Sequence, residues 1–449
     1  MRSVGHNKAL GLWMNGHRVG TWRIEAGSDV LQYDDAWVRD VALRRPLSLS
    51  LPFTPGNGPH KGEAVRFYFQ NLLPDNEQIL ERIARRYKVG ATDPNALLRE
   101  IGRDCVGALQ ILPAGEAPPE EPEMQYEVLS EADVARLVRA VVSPTQSGDG
   151  GLDDDDFRIS IAGAQEKTAL LYWAGQWCRP LGATPTSHIL KLPLGLIGNM
   201  QIDMRHSVEN EWLCSKLVAA FGIPIAPCDM LRFEDQKVLA VERFDRSVWK
   251  EKVLVRIPQE DMCQASGVSP ILKYESDGGP GVDTIMNLLM RSRHPATDRF
   301  QFFMAQLLFW MLCATDGHAK NFSIFLRPQG VFEMTPLYDV ISAYPILGAG
   351  PGKLSPHKAR MAMAVRSKNA HWHMNKIMRR HWEAVGERYG IRSPQGLDVR
   401  TIIDQVVEMT PDVIARVEKQ LPPDFPESVS TAIFHGLQDA ANRLGKVHD

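Results

Sequence analysis

The run "FFMAQLLFWMLCAT" (302–315) limits what this chain can fold into more than any other stretch. It is too short to cross a bilayer and has the length of a helix buried in a core. Such a helix needs much apolar material around it, and 449 residues at 44% hydrophobic composition supply it. The polar run "DGHAKN" (316–321) follows without a spacer. Any chemistry in that run is therefore hung on a buried element.

At this length two or three substructures are expected. The net charge of -3 excludes a protein that binds polyelectrolytes through overall charge, while leaving room for a local patch. The six cysteines (105, 178, 214, 228, 263 and 313) form no C-x-x-C pair, which argues against a zinc site or a disulfide framework. With no signal-peptide-like apolar segment at the start, they point to a reducing cytoplasm and to no membrane partner.

Near the start, Asn15-Gly16 lies between apolar alternations and predicts a hairpin. "AVRFYFQNLLPDNEQILERIARRYKV" reads as helix, with Asp75 or Asn76 capping its second part. Residues 114–124 and 147–156 are polar, turn-rich connectors. Strand patterning then dominates 157–245, in "FRISIAG", "TALLYWAGQWCRP", "SHILKLP" and "KVLAVERFD". One amphipathic helix, "VENEWLCSKLVAAFG", interrupts it, with Gly222 as its stop. The resulting expectation is a five-stranded, one-helix block, followed after about residue 257 by a mostly helical one.

Four residues separate Asp316 from Asn321, in the pattern D-x-x-x-x-N. In protein kinases that spacing lets the carboxylate accept a substrate hydroxyl proton while the amide oxygen reaches Mg²⁺ on the phosphates. Alone, it also describes a capped turn. "NFSIFLRPQGVFEMTPLYD" reads as strand, turn at Pro328-Gln329-Gly330, and strand. A hairpin there returns Asp339 to Asn321 and Asp316 and adds the second oxygen ligand that a Mg²⁺–nucleotide site needs.

Lys191 ends the apolar strand pattern "SHILKLP", a costly place for an ammonium without a partner. The helix that follows offers Glu209 and Glu211, and Glu211 is the expected partner. "LAVERFDR" (239–246) suits a connector whose backbone meets an adenine edge. "RISIAGAQEKT" is neither a Walker loop nor a dinucleotide fingerprint, since Gly163 has no second glycine before Lys167. Small residues at Ala162, Gly163 and Ala164 still let backbone N–H groups approach phosphates, with Lys167 adding charge.

"FRISIAGAQEKTALL", "HILKLP", "LAVERFDR", "PQEDMCQ", "KYESDGGPG", "ATDGHAKNFS" and "YDVISAYP" together resemble the HipA family, the serine/threonine kinase toxins of bacterial toxin–antitoxin modules. The likeness extends upstream to "PLSLSLP", "NLLPD" and "EIGRDCVGAL" and is weakest in the first ten residues and in 114–156. It implies an α+β, protein-kinase-like fold of two lobes with an extra N-terminal subdomain. The expected bounds are 1–122 for that α/β subdomain, 123–256 for the β-rich nucleotide-binding lobe and 257–449 for the helical lobe. The resemblance implies Asp316 as catalytic base, Asn321 and Asp339 as Mg²⁺ ligands, and Lys191 as a further catalytic group. It implies ATP contacts from Ala162, Gly163, Ala164, Gln165, Glu166, Lys167, Lys191, Glu242, Arg243, Phe244, His318 and Tyr338, with Asp339 beside them. It also implies autophosphorylation at Ser160, glutamyl-tRNA synthetase as substrate, and a small helix-turn-helix antitoxin that binds operator DNA as partner.

Residues 340–382 hold eight Lys or Arg and no Asp or Glu, with Lys376, Arg379 and Arg380 in "NKIMRRHW". Such a patch suits DNA phosphate contacts, and equally a solvated face. Two other readings stay open: a small-molecule kinase, and a non-enzymatic co-repressor with its antitoxin.

Overall fold

The computed structural model describes residues 9–90, 93–120, 123–142, 162, 165–198 and 201–446. Asn15 and Gly16 both take left-handed backbone (φ 45 and 84), the turn that matches strand twist in a two-residue hairpin. The strands that it joins, Leu10–Met14 and His17–Glu25, belong to an antiparallel sheet of five. Ser28–Tyr33 and His60–Lys61 extend it on one side, and Leu109–Pro113 on the other. The Asn76 side chain caps the helix Glu77–Tyr87 by accepting from the N–H groups of Gln78 and Ile79. The preceding helix, Glu63–Gln70, packs on the sheet, with the Phe69 ring stacked 3.8 Å from Trp22.

The second sheet has six antiparallel strands, in the order Cys228–Phe233, Gln236–Glu242, His188–Lys191, Lys167–Trp173, Gln176–Pro180 and Tyr126–Val128. The sequence reading expected five strands and one helix. Tyr126–Val128 is too short to show a period, and the helix Glu131–Val142 adds a second cover. Alternation along Gln236–Glu242 divides the core. Val238 and Ala240 join the cluster built on the helix Glu131–Val142, while Leu239 and Val241 pack with the helix Ser207–Ala220. The same alternation sends Leu190 and Leu192 into the first cluster and leaves Ile189 and Lys191 facing a cavity. Register thus aims Lys191.

Beyond residue 257 the helices Pro295–Met311, Val399–Glu418 and Glu427–Gly445 share the largest core. Helices dominate there as expected, and besides the hairpin expected after Asn321 there are strands that the sequence pattern does not show. Gln259–Asp261, Ser323–Leu326 and Phe332–Met334 form one small sheet, and Arg360–Arg366 with Ala370–His373 another. Met361 to Val365 are all buried, so that strand presents no alternation that would distinguish it from a helix. Among the described residues no helix is long and apolar enough to cross a membrane.

A buried ion cluster joins the N-terminal sheet to the connector after Glu242. Asp104 accepts from Arg246 (2.9 Å) and Arg256 (2.8 Å), and Arg243 pairs with Asp245 at 2.8 Å. Burial opposes both carboxylates, but the guanidinium groups outweigh it and hold Asp245 down at about 2.

Candidate active site

The helix Pro295–Met311 is buried and hands the chain to a tight loop through Cys313, whose φ of 50 reverses the backbone. Gly317 is required there, since a Cβ would lie 2.2 Å from the Phe309 ring. The His318 N–H donates to the Asp316 carbonyl at 2.8 Å and to Asn321 Oδ1 at 3.2 Å. Asp316 and Asn321 consequently both line one cavity of about 240 Å³.

The hairpin after Asn321 turns at Gln329 and Gly330, both with positive φ. Asp339 comes back to within 3.3 Å of Asn321, from carboxylate Oδ2 to amide nitrogen. Asp339 itself has a φ of 61, which is uncommon for a residue with a side chain and holds the carboxylate against the loop.

From the other wall, Lys191 Nζ reaches Asp339 Oδ1 at 2.7 Å and Glu211 Oε1 at 2.6 Å. Glu209 turns instead to Lys237. Burial works against all three charges in the Lys191 group. The two carboxylates nevertheless hold the ammonium protonated, while Lys191 and Lys167 keep Asp339 down at about 2. Glu211 rises to about 7, because its burial exceeds what Lys191 returns. Burial and the neighbouring Lys191 lower Lys167 to about 8, and its Nζ donates to the Ala162 carbonyl at 2.7 Å. Burial and Lys273 lower His318 to about 4, so its ring is neutral at pH 7, with Nδ1 buried and without a hydrogen bond.

The far end of the cavity is an apolar slot, with Val106, Ile189, Ala226, Val241 and Ile341 on its walls. Phe244 closes it, and among the described residues neither its N–H nor its C=O is in a hydrogen bond. Tyr338 also lines the cavity and packs against Phe244, while its hydroxyl donates to the Lys320 carbonyl at 2.7 Å.

The expected positions do not all meet the cavity in the same way. Ser160, Gly163 and Ala164 lie outside the described residues. Gln165 lines the cavity and donates to the Leu192 carbonyl at 2.6 Å. The Glu166 carboxylate turns to Arg82 at 2.5 Å. The Glu242 side chain is exposed although the residue lines the cavity, and the Arg243 guanidinium is bound in the ion cluster. Arg379 is no free cation either. Its side chain is 11% exposed and pairs with Glu383 (2.7 Å) and Asp404 (2.6 Å). Lys376 and Arg380 are exposed.

The sequence reading passed over a second polar layer. Lys320 donates to Asp261 and to Asn71 Oδ1, both at 2.9 Å, and Lys273 reaches Asp75 at 3.1 Å. Asn71 and Asp75 come from "NLLPD" in the N-terminal subdomain. For Asp75 the available signal is a charge next to apolar residues, which the sequence pattern suggests only as a helix cap; Asn71 has no such signal.

Two family profiles match this chain, the HipA N-terminal domain over residues 10–112 and the HipA-like C-terminal domain over 159–414. Together they take in every residue of the cavity named above. The chain belongs to the HipA family. It is 34% identical to "Putative kinase Y4mE" of Sinorhizobium fredii over 420 residues, covering 91% of this chain and 92% of that one. It is 27% identical to the serine/threonine-protein kinase toxin HipA of Shewanella oneidensis over 390 residues, covering 84% of this chain and 82% of the other. A solved structure of HipA from Shewanella oneidensis, in complex with HipB and operator DNA, superimposes with a TM-score of 0.77 at 24% identity. That match covers 97% of both chains and shows the shared fold. The architecture is accordingly α+β, kinase-like and two-lobed, as the resemblance implied.

Proposed function

We propose that this chain is an ATP-dependent serine/threonine protein kinase and the toxin of a toxin–antitoxin module. The observation that carries this reading is the convergence of Lys191, Asp339, Asn321 and Asp316 on a cavity whose other end is apolar and offers free backbone groups at Phe244. The slot suits a flat purine, with the Phe244 N–H and C=O meeting its polar edge. Lys191 and Lys167 supply positive charge where α and β phosphates would sit, and His318 and Tyr338 fill in the wall.

Asn321 and Asp339 fit a Mg²⁺ site. Both side chains line the cavity and Asp339 is ionised; the Asn321 amide nitrogen faces Asp339 Oδ2 while its Oδ1 accepts the His318 N–H, so holding the ion would turn that amide oxygen toward Asp339. Mg²⁺ takes hard oxygen ligands and keeps several waters, so one amide and one carboxylate suffice from the protein. When bound, it neutralises phosphate charge. Asp316 accepts the proton of the attacking serine or threonine hydroxyl, while Lys191 orients the phosphates and excludes the misaligned geometries.

The finer parts of the proposal come from the family. They are glutamyl-tRNA synthetase as substrate, inactivating autophosphorylation at Ser160, and co-repression with a HipB-like helix-turn-helix antitoxin on operator DNA. Within the basic stretch, Lys376 and Arg380 are the candidates for phosphate contacts. The cytoplasm is the proposed site of action, in keeping with six unpaired, buried cysteines.

The test is incubation of the purified chain with γ-labelled ATP, Mg²⁺ and a bacterial lysate, followed by mass spectrometry of phosphosites. Phosphoserine or phosphothreonine in a glutamyl-tRNA synthetase supports the full reading. Label found only in small molecules would replace it by a small-molecule kinase, and no transferred label at all would end it.

A further inference from the structure

The segment "KYESDGGPG" (273–281) takes no part in nucleotide binding as described, yet it is fastened on every side. Lys273 Nζ is tied to Asp75 at 3.1 Å, and its carbonyl accepts the Ala319 N–H at 3.1 Å. The second contact fixes the strap to the catalytic loop itself. Two residues on, Glu275 accepts the Ala364 N–H at 2.7 Å and holds Arg366 at 2.5 Å. The Tyr274 carbonyl accepts from the N–H groups of Asp277 and Gly279 at 3.1 and 3.0 Å. Both later glycines are forced by space. A Cβ at Gly279 would lie 1.8 Å from the Leu272 carbonyl oxygen, and one at Gly281 would lie 2.2 Å from the Glu275 carboxyl carbon.

All this rigidity aims one side chain. The Tyr274 ring packs edge-on to His318 at 5.0 Å, and its hydroxyl donates to Asp316 Oδ1. Among the described residues Tyr274 is the hydrogen-bond donor to that carboxylate, and Oδ2 has none. A carboxylate turns easily about its last bond. Pinning one oxygen from a fixed donor sets the direction of the other.

We infer that Tyr274 is a positioning residue for phosphoryl transfer, which holds Asp316 Oδ1 so that Oδ2 faces the incoming hydroxyl. The inference rests on the kinase reading. It assigns the "KYESDGGPG" strap a purpose, namely to carry that phenol between the Asp75 and Glu275 anchors. Misalignment of a reacting group by about 1 Å costs about 10²-fold in rate, so loss of the pin is expected to lower kcat by about 10- to 100-fold.

The experiment compares wild type with Tyr274→Phe, which keeps the ring and its contact with His318. Full chains are assayed with γ-labelled ATP, Mg²⁺ and a serine/threonine peptide library, and the best acceptor is used for kinetics. The expected result is a kcat lowered about 10- to 100-fold, with KM for ATP and the melting temperature unchanged. A Tyr274→Phe enzyme as fast as wild type overturns the role while leaving the kinase reading intact. A faster enzyme also overturns it, because the phenol would then be obstructing the base. A parallel loss of ATP affinity and melting temperature reduces Tyr274 to a structural residue. A wild-type chain that labels no acceptor fails the kinase reading, and the role of Tyr274 falls with it.

Discussion

Lys191 Nζ lies 2.7 Å from Asp339 Oδ1, although 148 positions separate the two residues. The same ammonium is 2.6 Å from Glu211, so one cation serves two carboxylates from different lobes. Lys191→Met is expected to lower phosphoryl transfer about 10²- to 10³-fold, as for loss of a donor aimed at developing charge. It also leaves Glu211 buried without its partner; held at about 7 even beside Lys191, the carboxyl takes up a proton when the cation is gone, and the unpaired group costs roughly 1–3 kcal/mol. Glu211→Gln added to Lys191→Met then restores stability without restoring activity. Denaturant unfolding of the single and double variants checks this; a double variant no more stable than Lys191→Met would mean that Glu211 is not the group left unpaired.

Asp316→Asn removes the proposed proton acceptor and leaves the proposed phosphate and adenine contacts in place. Transfer is expected to fall about 10²- to 10⁴-fold, with ATP affinity unchanged by calorimetry. Retained activity would move the base elsewhere.

Patterns local in the sequence were the legible ones. The Asn15-Gly16 hairpin, the strand–turn–strand after Asn321 and the end of the buried helix at Asp316 each depend on a few adjacent residues, and each has its expected form. The Lys191–Glu211 contact could be anticipated because a buried ammonium needs a partner. What escaped was non-local or lacked a period. Asp75 reads as a helix cap and Asn71 as part of a helix, since nothing near them in sequence reveals Lys273 or Lys320 about 200 and 250 residues away. Arg379 looks like free charge when the stretch is cut at residue 382, just before its local partner Glu383, and its second partner, Asp404, lies on another helix. Tyr274 had no local signal at all.

Asp339→Ala is expected to act on the proposed metal site rather than on the proposed base. Asp339 is ionised well below neutral pH, so it attracts a divalent ion and repels bare phosphate. Affinity for ATP with Mg²⁺ is expected to drop by about tenfold or more, while affinity for ATP alone holds or improves. Titrations with Mg²⁺ and with EDTA separate the two effects. Equal losses in both would assign Asp339 to structure only.

The basic stretch divides into two kinds of cation. Lys376→Ala with Arg380→Ala is expected to flatten the salt dependence of operator binding by the antitoxin complex, by about one unit per lost contact. Arg379→Ala is expected to lower thermal stability instead, since Arg379 ties its own helix to Asp404 and to the Leu444 carbonyl. An unchanged slope in the double variant would return the stretch to an ordinary solvated face.

Glu260 provides a pH test of the junction between the N-terminal subdomain and the lobe that carries the catalytic loop. It is fully buried, its Oε1 accepts the Leu49 N–H at 2.9 Å, and its Oε2 has no partner. Burial pushes its carboxyl from 4.5 up to about 8; Ser48 and Leu49 draw it down less, and Asp261 adds to the rise. The folded chain therefore binds this proton more tightly than the unfolded chain. The stability that Glu260 contributes is complete below about 4.5, declines between the two values and is lost above about 8. Glu260→Gln removes the titration while keeping the size and an acceptor for Leu49. At pH 5 the variant should match wild type, and at pH 9 it should be the more stable by roughly 1–3 kcal/mol. Thermal melts of both proteins from pH 5 to 9 measure the difference, and parallel curves over that range would show that Glu260 is ionised in the folded chain throughout.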